Sequence, residues 1–217
     1  MLLTFLSTNF AFWHHNHLPN RRKALNLLFP LPCRMLTSLD TYLFGIIVLE
    51  IAVIVATIIM RNKSSILREN LRFYMDARST ISATICILTI AFVISRFLKC
   101  QRIEIIPFLV LSIFVAPVFE EIFYRGLLIG SFYSVLERKG FEGKMVALSL
   151  IIINPFIFSL SHVLNTYTFR FDAFIVRLST GFVYALFYWY GERNLVPVIV
   201  AHSIYNLLVN LCLFSYL

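Results

Sequence analysis

The sequence predicts an all-α, polytopic transmembrane helix bundle of about six spans. Three observations carry that class. Of the 217 residues, 59% are hydrophobic and only 14% are charged, and the mean hydropathy is +0.83. A soluble domain of this size could not hide so much apolar surface. The length suits one bundle, at ~20 residues per span for ~30 Å of hydrocarbon. The net charge of +8 gathers in connecting segments such as Arg61 to Arg78 and Glu137 to Lys144. These read as clusters that meet lipid headgroups, which makes membrane lipid a partner and argues against a nucleic-acid surface.

Taken in order, residues 1–40 form an N-terminal extension, interfacial or loosely ordered. Its first 34 residues mix apolar runs with His14, His15, His17 and Arg21, Arg22 and Lys23. They lack the charged start, long apolar centre and small-residue cleavage site of a signal peptide. The stretch reads either as an interfacial extension or as sequence upstream of a working start at Met35. Residues 41–217 form the transmembrane domain, with spans expected at 42–60, 80–98, 105–135, 145–163, 172–190 and 194–216. The third is longer than a membrane needs, so it must tilt, kink near Pro117 or protrude, with irregular helix expected around its glutamates. Pro155 and Pro197 fall inside the fourth and sixth spans, where a broken hydrogen-bond ladder is tolerated if protein or water satisfies it. Cys33, Cys86, Cys100 and Cys212 make no CxxC pair, so neither a thiolate metal site nor a disulfide framework is expected. Assigning loops alternately to the two sides divides the nineteen Lys and Arg almost evenly, and orientation stays open.

Ionisable groups at membrane depth cost on the order of 3 kcal/mol each, so their positions are informative. The third span carries Glu120, Glu121 and Arg125, the fourth His162, the fifth Arg177, and the sixth His202 with Asn206. Glu121 and Arg125 are four apart and can pair on one helix face. Glu120 is turned from Glu121 by about 100° and can look elsewhere. Phe158 and His162 repeat the four-residue spacing, as do His202 and Asn206. A Glu–Arg pair in a span is often a clamp between helices, and a single histidine often bonds a neighbour. Arg177 reads as a snorkelling or structural residue, for example beside Asp172, and Phe158 as packing. Three polar islands on three apolar helices are harder to explain as unrelated clamps. Together they hold the inventory of a hydrolytic site.

The segments "EEIFYR" at 120–125, "FSLSH" at 158–162 and "HSIYN" at 202–206 resemble the ordered motifs EExxxR, FxxxH and HxxxN of the CPBP intramembrane proteases. That family contains the type II CAAX prenyl endopeptidases and the bacteriocin-processing or self-immunity proteins also called Abi. The resemblance covers residues 105–210 and implies an integral, multi-pass membrane peptidase, in the plasma membrane if the host is bacterial. It implies that Glu120 is the general base and His162 its partner in activating water, and that His202 and Asn206 stabilise the tetrahedral oxyanion. Glu121 and Arg125 would hold the helix and the local field. The implied substrate is a membrane-associated peptide, such as a prenylated CaaX tail or a bacteriocin precursor. Glu120, His162 and His202 could also supply the carboxylate and two imidazoles of a catalytic zinc site. HExxH is absent, a metal-free glutamate mechanism uses the same residues, and the sequence leaves both open.

Two rivals follow from the same residues. A non-catalytic immunity or scaffold protein could keep the fold and bind a partner, although every motif position is present. A small transporter with a Glu/His relay would carry paired broken helices in both halves, whereas the acidic and histidine positions crowd the C-terminal half. The peptidase reading predicts that Glu120→Ala abolishes the cellular phenotype of the wild-type protein; an intact phenotype in complementation would favour binding.

Overall fold

Hydrocarbon offers the backbone no hydrogen-bond partners, so apolar runs must satisfy their N–H and C=O groups within the segment, which only helices do one by one. The computed structural model describes residues 32–95, 109–163 and 171–211. Its regular structure is all-helical: α1 (Pro32–Lys63), α2 (Ser65–Asn70), α3 (Ala77–Ser95), a composite α4, α5 (Gly143–Val163), α6 (Phe171–Tyr190) and α7 (Val196–Asn210). Composite α4 is a contiguous run of a π segment (Leu111–Val115), an α segment (Ala116–Glu121), a second π segment (Ile122–Ser131) and an α segment (Phe132–Arg138).

Helices α5 and α6 are each long and apolar enough to cross a membrane, and α3 and α7 contain shorter apolar stretches, Ala77–Val93 and Val196–Asn210. The six-span expectation is therefore met only in part. Helix α1 begins at Pro32, ten residues before the expected span, and the first 31 residues lie outside the described residues, as does the end of the sixth span. The irregular helix expected around the glutamates is present, because π segments flank Ala116–Glu121 on both sides. Pro155 does lie inside α5. Pro197 does not interrupt a helix: α7 starts at Val196, so the proline occupies the first turn, where no intrahelical donor is required.

The bundle has an apolar core with polar groups set into it, and its outside is apolar as well. Helices α5 and α6 pack along each other, as do α3 and α7, with α4 lying against both pairs. The core between them gathers Ala83, Ile87, Ile122, Ile129, Ile151, Val183, Tyr184, Tyr188 and Val198. Glu121, Arg125, Asn154, Ser159, Thr180 and His202 are buried with them, and α1 adds buried Glu50 and Thr57. The outward faces carry Ile81, Ile85, Ile152, Ile153, Phe156 and Leu160, all strongly exposed. Exposed apolar residues in such number call for a cover, as lipid would give to helices of the length and hydropathy of α5 and α6.

One end of the bundle is tied by hydrogen bonds between segments distant in sequence. Asn70, wholly buried, donates to the Ser134 hydroxyl at 2.9 Å, accepts from Arg193 at 2.8 Å, and offers its carbonyl to the Tyr188 hydroxyl at 2.8 Å. Arg193 also pairs with Glu69. The Asn194 amide bonds both the carbonyl and the N–H of Tyr74, and Leu195 N–H bonds the Arg72 carbonyl at 2.9 Å. Asp76 caps α3: its carboxylate accepts from the Ser79 hydroxyl and the Arg78 N–H, which hold it below the usual carboxylate range.

The close approach of α2 to α4 depends on Gly126 and Gly130, one turn apart. A methyl group on Gly126 would strike the Leu71 side chain, and one on Gly130 would meet the Tyr188 hydroxyl and lie 2.5 Å from the Asn70 Cβ. Gly130→Ala is therefore expected to destabilise the protein by about 1–3 kcal/mol, the usual cost of overpacking. Gly45→Ala, at a helix position with nothing within 4 Å, should be neutral or mildly stabilising. Thermal unfolding in detergent separates the two.

Candidate active site

Helix α4 brings Glu120 and Glu121 to the bundle interior at the junction of its first α segment with the second π segment. Adjacent helical positions diverge by about 100°, so the two carboxylates face different partners. Glu121 pairs with Arg125, Nη1 to Oε1 at 3.1 Å, and both side chains have no exposed surface. The arginine is held further by donating Nη2 to the Gly181 carbonyl at 3.1 Å. Its guanidinium lies 4.6 Å from the ring centroid of Phe158 and 5.2 Å from that of Tyr184, so aromatic faces cover what the carboxylate does not. Phe158, expected only to pack, thus also covers a buried charge.

Glu120 turns to the two histidines. Its Oε1 lies 3.5 Å from His162 Nε2 on α5, and its Oε2 lies 3.8 Å from His202 Nε2 on α7. Glu120 and His162 keep some exposure, 13% and 21% of their side chains. These two side chains are therefore not fully enclosed, while the Glu121–Arg125 pair behind is sealed. The first separation is at the outer limit of a hydrogen bond and the second lies beyond it, so Glu120 sits nearer to His162 than to His202.

The far nitrogen of each ring is fixed. His162 Nδ1 lies 2.8 Å from the Phe158 carbonyl, and His202 Nδ1 lies 2.8 Å from Glu121 Oε1. A carbonyl and a carboxylate can only accept, so each Nδ1 carries the hydrogen and each Nε2 is left to face Glu120. The acceptors differ in charge: His162 is held by a neutral carbonyl and His202 by a carboxylate. The Tyr184 ring stacks on His202 at 4.8 Å and 20°, fixing its plane.

The structure thus brings together Glu120, Glu121, Arg125, Phe158, His162 and His202. Asn206 sits one turn beyond His202, where its amide donates to the Ser112 carbonyl at 2.7 Å. Sequence reasoning paired Glu121 with Arg125 but not with His202, since a contact between α4 and α7 has no spacing signature. It also passed over Tyr124, whose hydroxyl meets Ser161 at 2.5 Å, along with Tyr184, Ser112 and Asn154. The position of Tyr124 inside "EEIFYR" was the available signal. Tyr184 is hidden in the aromatic run "YALFYWY".

The metal option can be tested on the donor set. The held Nδ1 atoms resemble the outer contacts of ligand histidines. The two rings nonetheless address different oxygens of Glu120, and among the described residues no group of three His, Cys, Asp or Glu could hold a metal ion. As arranged, the two Nε2 atoms converge on the Glu120 carboxylate, and an ion held there would take Glu120, His162 and His202 as its ligands.

Residues 102–208 match the family model described as type II CAAX prenyl endopeptidase Rce1-like. No curated protein and no solved structure matches the chain. The matched stretch contains all three motifs and the helices α4 to α7 that present them, with the apolar helices of a membrane-embedded family. Residues 102–208 thus carry a domain of the type II CAAX prenyl endopeptidase Rce1-like kind, in agreement with the CPBP group that the motifs resemble.

Proposed function

We propose that the protein is an intramembrane endopeptidase that hydrolyses a peptide bond of a membrane-associated substrate with a water activated by Glu120 and His162. The observation that carries this reading is the approach of two imidazole Nε2 atoms, at 3.5 and 3.8 Å, to the two oxygens of one partly accessible carboxylate.

A water between Glu120 and His162 gives one hydrogen to the carboxylate and the other to Nε2 of His162, which points an oxygen lone pair at the substrate carbonyl carbon. As the C–O bond forms, Glu120 takes the water proton and the carbonyl oxygen becomes an oxyanion. His202 with hydrogen on both nitrogens donates Nε2–H to that oxyanion. The Glu121 carboxylate on its Nδ1 offsets the ring's positive charge, as the acidic member of a hydrolase triad does. Collapse of the tetrahedral species breaks the C–N bond, and the proton held by Glu120 passes to the leaving amine. Donors fixed inside an apolar bundle stabilise developing charge better than water would, because they need no reorganisation. A prenylated CaaX tail suits these surroundings, since its lipid would lie along the apolar helices while the peptide reaches Glu120.

Detergent-purified protein is expected to cleave members of a panel of prenylated CaaX peptides and leader peptides. Glu120→Gln and His162→Ala should each lower kcat by about 10²- to 10⁴-fold, the range for a lost general base or its partner. Turnover should survive a strong chelator; loss of activity on chelation with recovery on adding zinc would instead assign the chemistry to a metal held by Glu120, His162 and His202. Full activity of Glu120→Gln would remove the carboxylate from the reaction. A folded protein inert on every peptide would favour a non-catalytic binding role.

A further inference from the structure

The resemblance gives Asn206 an oxyanion-binding part, but the geometry around it points to a different task. In the first π segment of α4, the Ala116 N–H bonds the Leu111 carbonyl, five residues back. In an α-helix that N–H would have served Ser112. The π-register donor for Ser112 would come from residue 117, which is Pro117 and has no N–H. The Ser112 carbonyl is thus stripped of both helical donors inside a span, where an unmet carbonyl is costly. Asn206 Nδ2 reaches that oxygen at 2.7 Å, and one turn further along α7 Asn210 Nδ2 reaches the Ser112 hydroxyl at 2.5 Å.

We infer that Asn206 is a positioning residue that replaces the amide N–H Pro117 lacks, and so sets the depth of α4 against α7. The bond sits between His202, four residues earlier on α7, and Glu120, three residues after Pro117 on α4. A slip there would change the gap between the Glu120 carboxylate and the His202 ring. Asn210 is the second half of the same clamp, and nothing in the three motifs marks it.

A double-mutant cycle tests this, because Pro117→Ala restores an N–H in the register that reaches Ser112. The protein is assayed as wild type, Asn206→Ala, Pro117→Ala and the double variant, for peptide turnover and for the midpoint of thermal unfolding in detergent. Asn206→Ala should lower kcat by about tenfold and lower the midpoint, as expected when a buried carbonyl loses its donor. In the Pro117→Ala background the same change should leave both values close to those of Pro117→Ala alone, since the two groups share one acceptor. Equal losses in both backgrounds would overturn the inference and return Asn206 to the substrate. Should Asn206→Ala fail to fold, recovery of folded double variant supports the clamp, and its failure overturns it. The turnover arm rests on the peptidase reading and the unfolding arm does not. A wild type without turnover would therefore defeat that reading while the midpoints still decide the clamp.

Discussion

A carboxylate with no exposed surface has to be compensated within its own contacts, and Glu121 is compensated twice. Arg125 approaches its Oε1 at 3.1 Å from one turn away on α4, and His202 approaches the same oxygen at 2.8 Å from α7. Removing one partner of a buried pair leaves a bare charge, a loss of about 3–5 kcal/mol, so the three groups form a unit that tolerates little rearrangement. The unit fixes the rest of the site. Arg125 is anchored to the Gly181 carbonyl on α6 and roofed by Phe158 of α5, so one ion pair touches all four helices of the family domain. Glu120, next in sequence and rotated away, inherits a fixed position without spending its own charge on the clamp.

The same solvent that punishes bare charges punishes unmet carbonyls, and the bundle answers with side-chain amides. The wide turns of α4 leave peptide oxygens facing sideways, and neighbouring helices reach for them: Asn154 of α5 donates to the Tyr124 carbonyl at 2.9 Å, and Asn206 of α7 donates to that of Ser112. Ser159 likewise donates to the Phe174 carbonyl at 2.7 Å across α5 and α6. Each bond satisfies backbone and joins two helices. In lipid, where apolar side chains gain little by leaving one apolar surface for another, such bonds and close packing of small residues hold helices together. The α segment between the two π segments holds Glu120 and Glu121, and its ordinary step of about 100° aims them at different partners.

The two histidines illustrate how identical groups come to sit in different surroundings. Both present Nε2 to Glu120, yet one is backed by a peptide carbonyl and the other by a carboxylate. Nothing in either residue type distinguishes them.

Much of this was legible in the sequence. Composition points to the membrane class, hydropathy locates α5 and α6 to within two residues but places the start of α1 ten residues too late, and the spacing of Glu121 and Arg125 dictates their pairing. The motif residues Glu120, His162 and His202 stand out because charge in hydrocarbon needs a reason. Helical spacing, however, reports only contacts within one helix. The bond from Glu121 to His202, the cover of Arg125 by Phe158 and Tyr184, and the capture of Ser112 by Asn206 and Asn210 all join residues on different helices, far apart in the chain. Likewise, Pro197 reads from sequence as a break and turns out to begin a helix, because where a ladder starts depends on the turn packed before it. The sequence by itself determined which side chains needed partners in lipid. Only the tertiary structure decided which partners they took, because that choice rests on the rotation and depth of whole helices, set by packing summed over the bundle.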